Sequence, residues 1–106
     1  MISRPLKPQW FQILLALSAG DLHGYAIQRA VLAQTDGQIR LWPAMLYRSL
    51  AKLEEYGVIV SAEPPADEPE DERRQYYSIS PEGRALLKQE GEMLARWAAA
   101  AGQAGS

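Results

Sequence analysis

Arg48 and Lys52 stand four residues apart in a stretch whose Leu46, Leu50 and Leu53 recur with helical spacing, so both cations share one face of a helix. Such a pair can meet phosphate oxygens, and Arg48 can also address the O6 and N7 edge of guanine. Lys52 has an internal alternative in Glu54 or Glu55. The ring of Tyr47 suits packing while its hydroxyl could reach a phosphate, and Ala44 and Met45 offer only apolar contact, for example to a thymine methyl group. Arg73 and Arg74 form a second basic spot, but the six carboxylates of residues 61–72 are competing partners for them. His23 is the only histidine. With only Asp21 nearby it reads as a helix-start or packing group, and Gly24 beside it as a close-packing position. Trp10, Met93 and Trp97 make a third set, suited to an interface or to gripping a flat ligand.

Enzyme chemistry finds no support in these residues. The chain has no Gly-rich phosphate loop, no metal-ligand cluster and no nucleophile with a plausible base, and neither metal nor cofactor is expected. Asp67, Glu68, Glu70, Asp71 and Glu72 fall on a stretch too flexible to hold paired carboxylates in fixed geometry. The absence of cysteine removes disulfides and thiolate zinc sites and points to a reducing, cytoplasmic compartment. Pro5 and Pro8 interrupt residues 1–12, which therefore do not resemble a secretion signal. The apolar residues 10–19 fall far short of the ~20 that span a bilayer.

The net charge of −2 hides a strong asymmetry. Residues 1–60 carry six Lys and Arg against four Asp and Glu, residues 61–72 carry six acids and no base, and residues 73–106 carry five bases against three acids. One acidic segment thus turns a mildly basic chain acidic, so the global charge says little about a local binding surface.

The elements that must position these residues follow from periodicity and punctuation. Residues 10–17 predict a mostly buried first helix, and residues 23–34 a second, stopped before Thr35-Asp36-Gly37. The alternation in residues 38–42 predicts a very short strand. Pro43 then opens a third helix running to about Tyr56, with Gly57 as the left-handed residue after its end. Residues 58–62 and 75–79 predict two antiparallel strands joined by an exposed Pro- and acid-rich loop. Ser80-Pro81-Glu82 supplies a capping hydroxyl, a first-turn proline and a carboxylate at the positive end of a helix dipole. A fourth helix therefore runs from Pro81 toward Ala101, with Leu86, Leu87, Met93, Leu94 and Trp97 as its apolar stripe. The order is mainly α with a small β-hairpin. It is the order of a winged helix-turn-helix, in which the third helix enters the major groove and the hairpin loop reaches the backbone or minor groove.

Three segments sharpen this reading: Leu22-His23-Gly24-Tyr25-Ala26-Ile27, then Leu46-Tyr47 ahead of Leu50-Ala51-Lys52-Leu53-Glu54-Glu55-Tyr56-Gly57, then Arg74-Gln75-Tyr76-Tyr77-Ser78-Ile79-Ser80-Pro81-Glu82-Gly83. In this order and spacing the chain resembles the PadR family of bacterial transcriptional regulators over about residues 10–95. The resemblance implies a winged helix-turn-helix DNA-binding domain at 1–80 and a C-terminal dimerisation helix and tail at 81–106. It also implies a homodimer whose C-terminal helices pack on the partner's first helix, bringing Trp10 and Trp97 toward the dimer axis, where some small members hold flat aromatic compounds. Trp42-Pro43-Ala44-Met45 departs from the Ser-Pro-Gly-Thr-like start of the family's third helix, and the wing tip is acidic rather than Gly-rich and basic. Both departures should weaken or redirect DNA binding.

The resulting expectation is a dimeric repressor of a pseudo-palindromic double-stranded operator, with Trp10, Met93 and Trp97 either as anchors of the dimer interface or as the site of a planar aromatic effector that releases it. Its DNA contacts would be Ala44, Met45, Tyr47, Arg48, Lys52, Arg73 and Arg74. The rival expectation is a winged-helix protein–protein interaction module that touches no DNA.

Overall fold

The computed structural model describes residues 1–68 and 74–105. Seven elements follow in the order α1 (Pro8–Leu17), β1 (Leu22–His23), α2 (Gly24–Gln34), α3 (Pro43–Glu55), β2 (Ile59–Ala62), β3 (Tyr76–Ile79) and α4 (Pro81–Ala104). They form four helices and a small antiparallel sheet, the architecture of a winged helix.

The helices obey their apolar periods. α1 buries Trp10, Ile13, Leu14 and Leu17, α2 buries Ile27 and Val31, and α3 buries Leu46, Leu50 and Leu53. These side chains converge with Val58, Ile59, Tyr77, Ile79 and Leu86 in one core. α3 ends as the sequence predicts: Gly57 adopts φ 76°, its N–H donates to the Glu54 carbonyl, and the Val58 N–H donates to the Leu53 carbonyl. A left-handed glycine with these two bonds satisfies the last carbonyls and turns the chain directly into β2.

The sheet order is β1-β3-β2, and it corrects one expectation. Residues 38–42 form no strand; the third strand is β1, pairing Leu22 with Tyr77 and His23 with Tyr76. The alternation that suggested a strand is real, since Leu41 is buried and Ile39 packs on the core while Arg40 and Trp42 face out. Its backbone bonds go elsewhere, however: Thr35 Oγ1 accepts the Ile39 N–H and Gln28 Nε2 donates to the Leu41 carbonyl. The hairpin register is as the alternation requires, with Ile59 opposite Ile79 and Ser61 opposite Tyr77.

α4 starts where Ser80-Pro81 predicts. Ser80 Oγ accepts the Gly83 N–H at 3.0 Å and donates to the Gly57 carbonyl at 2.6 Å, so one hydroxyl caps α4 and fastens it to the end of α3. The first half of α4 packs on α1. Beyond Met93 its apolar residues lose contact with the core: Leu94 and Trp97 are exposed, Trp97 by 51 %.

Candidate nucleic-acid interface

α3 divides into a buried face, Leu46, Ser49, Leu50 and Leu53, and an outward face, Ala44, Arg48, Ala51 and Glu55. Arg48 stands at the centre of the outward face and forms no salt bridge among the described residues. Lys52, on the flank, takes the internal option foreseen for it, with Nζ 3.4 Å from Glu55 Oε2. Both groups of that pair are more than half exposed, so the bond is weak and readily exchanged for another anion. Met45 is half-buried on the same flank.

Tyr47 lies on the opposite flank and explains two sequence motifs at once. A Cβ added to Gly24 would stand 2.7 Å from the Tyr47 hydroxyl and 3.1 Å from its ring. The glycine of His-Gly-Tyr therefore exists to let the tyrosine of Leu-Tyr lie across the start of α2, holding the two helices of the motif at close range. The Tyr47 ring nonetheless stays exposed on its outer side.

The base of the wing is an interlocked cluster. His23 caps α2, its Nδ1 accepting the Ala26 N–H at 3.2 Å. Arg74 Nη1 stands 3.0 Å from the other ring nitrogen, Nε2, and the ring tautomer sets which of the two contacts His23 accepts. Arg74 also approaches Glu68 Oε1 at 3.9 Å, and the Tyr76 hydroxyl donates to the same oxygen at 3.3 Å. Glu68 corrects the expectation of a fully solvated loop: its side chain is only 11 % exposed, turned inward by Tyr76 and Arg74. Arg74 is thus engaged within the chain, and Arg73 lies outside the described residues, as do residues 69–72 of the acidic tip.

Burial, then the Arg74 charge, hold the His23 pKa below its ordinary 6.5, with Glu68 pulling the other way. The unfolded chain then binds this proton more readily than the folded one. Stability from the neutral cap is complete above about pH 6.5 and is lost as pH falls through the lower folded-state value. The melting temperature should fall between about pH 7 and pH 5 in the wild type and less steeply in His23→Asn, whose amide oxygen caps without titrating. Parallel melting curves would remove His23 from the response.

A cleft of about 460 Å³ opens between the start of α1 and the Met45/Lys52 flank of α3, lined by Lys7, Trp10, Met45, Arg48, Lys52 and Tyr56 among others. Its floor is aromatic: the Trp10 and Tyr56 rings lie 6.1 Å apart at a tilt, and Lys7 Nζ sits 4.9 Å over the Trp10 ring. Trp10 is only 8 % exposed, so its ring is committed to the chain's own core.

Three features escaped the sequence reading. Glu90, inside the apolar stripe of α4, is 1 % exposed; its carboxylate pairs with Arg4 Nε and accepts the Leu6 N–H at 3.1 Å. Trp42 is 60 % exposed at the start of α3, with the Arg40 guanidinium 5.4 Å from its ring centre. Lys7 joins Arg48 and Lys52 in the cleft. A tryptophan beside an arginine just before the helix-opening Pro43 was a visible signal for Trp42; the partners of Glu90 and Lys7 are set only by the folded chain.

The described residues hold no helix long and apolar enough to cross a membrane. Residues 13–89 match the Transcriptional regulator PadR-like family. A transcriptional regulator from Clostridium thermocellum is 32 % identical, with a TM-score of 0.73 and 89 % of each chain covered. A PadR family transcription regulator from Clostridium difficile shares the fold at 20 % identity, with a TM-score of 0.78 over 94 % of this chain and 100 % of that one. An uncharacterized protein of transposon TN4556 from Streptomyces fradiae is 39 % identical over 84 residues, which are 79 % of this chain; the match spans 22 % of that protein's length.

Proposed function

The chain belongs to the PadR-like family of transcriptional regulators, and from that premise we propose that it is a homodimeric repressor that binds a pseudo-palindromic DNA operator. The observation that carries this reading is Arg48, unpaired among the described residues at the centre of an outward helix face whose other members are small or at the helix end. α3 would lie in the major groove, with Arg48 on a guanine edge, Ala44 and Met45 against apolar base edges, and Tyr47 and Lys52 toward phosphates. Arg74, with Arg73 beyond it, would face the backbone only by leaving its internal partners.

Dimerisation is supported by the second half of α4, where Leu94 and Trp97 are exposed beside the half-buried Met93 and form an apolar strip. A flat aromatic effector would be held at Trp97 rather than Trp10, because the Trp10 ring is already packed. Quenching of tryptophan fluorescence by planar aromatic compounds should vanish in Trp97→Ala; persistence of the quench would reject that site.

A mobility-shift titration against DNA from upstream of its own gene, repeated over rising salt, tests the function. A repressor gives a sequence-dependent shift with a steep salt slope, and a protein–protein module gives neither.

A further inference from the structure

We infer that the cleft between α1 and α3 is a second, sequence-independent DNA contact, in which Lys7 joins Lys52 in holding a phosphate of the DNA backbone beside the base-reading Arg48. The inference rests on the reading of α3 as the helix in the major groove. Arg48 lies on the outward face of α3 and Lys52 on its flank, so a helix seated in a groove turns that flank toward one groove wall, which is sugar-phosphate. The cleft opens on this flank. Its lining includes three cations and no carboxylate. Glu55, outside the lining, is paired to Lys52 across an exposed 3.4 Å contact that a phosphate can replace.

Lys7 reaches this position through an anchor at the other end of the sequence. Glu90 on α4 accepts the Leu6 N–H and pairs with Arg4, fixing residues 4–6 against α4. The next residue is Lys7, whose ammonium is then steered over the Trp10 ring at the cleft. Glu90 is thus a positioning residue for a DNA contact it does not touch. Because α4 is also the proposed dimerisation helix, the arm, the cleft and the dimer share one support.

The test is equilibrium binding of a duplex that the wild type shifts, measured from low to high salt. Lys7→Gln should weaken binding about three- to ten-fold on every duplex alike, and lower the slope of log affinity against log salt by about one per subunit. Lys7→Arg should restore both, since a backbone phosphate accepts either cation. Glu90→Leu keeps the buried volume and removes a negative charge, which by charge alone would strengthen binding; a freed arm weakens it instead. Replacing chloride by inorganic phosphate at equal ionic strength should cost the wild type more than Lys7→Gln, because a phosphate ion entering the cleft displaces the backbone phosphate held there. If Lys7→Gln binds with unchanged affinity and slope while Arg48→Ala fails, the cleft is not a DNA contact and the operator reading stands. If inorganic phosphate binds the free protein through Lys7 while Lys7→Gln leaves duplex affinity and slope unchanged, the cleft holds a free anion and the inference is overturned. If the wild type shifts no duplex, both readings fall together.

Discussion

Arg48→Ala is expected to weaken operator binding more than ten-fold while moving the melting temperature by no more than about 2 °C. The stability half follows from the side chain's position: it is exposed and forms no salt bridge among the described residues, so truncation breaks no buried contact. The affinity half follows from what the rest of the face can offer. Ala44 and Ala51 present methyl groups and Glu55 presents a negative charge, leaving Arg48 as the one group there able to read a guanine through two donors. A good bidentate contact is worth about 1–3 kcal/mol, and a dimer uses two, against about 1.4 kcal/mol for each factor of ten. Arg48→Lys should keep part of the affinity through charge but relax sequence preference, because an ammonium lacks the planar fork. Unchanged binding by Arg48→Ala would mean that α3 is not the reading helix.

Gly83→Ala is expected to be among the most damaging single substitutions in the chain, costing about 3 kcal/mol or more and lowering the melting temperature by more than about 10 °C. A Cβ at this position would stand 2.0 Å from the Val58 carbonyl oxygen and 2.8 Å from Ile79 Cγ1. The first obstacle is backbone, held by the Ser80 N–H donating to that same oxygen and by the Schellman bonds at the end of α3. Neither α4 nor the α3–β2 junction can yield without breaking the Ser80 cap or opening the sheet. Gly24→Ala makes an instructive contrast. Its obstacle is the Tyr47 hydroxyl, the far end of a side chain exposed on one side, so a smaller loss and a displaced Tyr47 are expected. Comparable melting temperatures for the two variants would contradict the close approach of α4 to the α3–β2 junction at Val58. Both melts belong at one protein concentration, because any self-association would couple to folding.

Local chemistry was legible in the sequence wherever one or two neighbouring residues decide the structure. Gly57 ending α3, Ser80-Pro81 starting α4 and His23 starting α2 each follow from capping rules, and each is where those rules place it. Tyr47 and Arg48 fall on the surfaces that helical spacing assigns. Features decided by distant parts of the chain were not legible. β1 is two residues long and exists only because β3 offers its free edge, so no alternation could announce it. Glu90 reads as a polar break in an apolar stripe until Arg4 and Leu6 arrive from the other end of the chain to pair with it. Glu68 reads as one of six acids in a solvated run, and only Tyr76 and Arg74 across the hairpin distinguish it from the others. The basic cleft has the same origin: Lys7 and Arg48 carry no mutual signal in sequence, and only the folded chain sets the start of α1 and the flank of α3 on one opening.

The central claim is that a dimer of this chain sets α3 of each subunit into successive major grooves of one operator. Hydroxyl-radical and methylation-interference footprints of the shifted complex test it most directly. Two major-groove sites, related by an approximate two-fold and centred about 10–10.5 base pairs or a multiple of that apart, are the predicted result. A single protected site, or a shift with no protected positions, would contradict it.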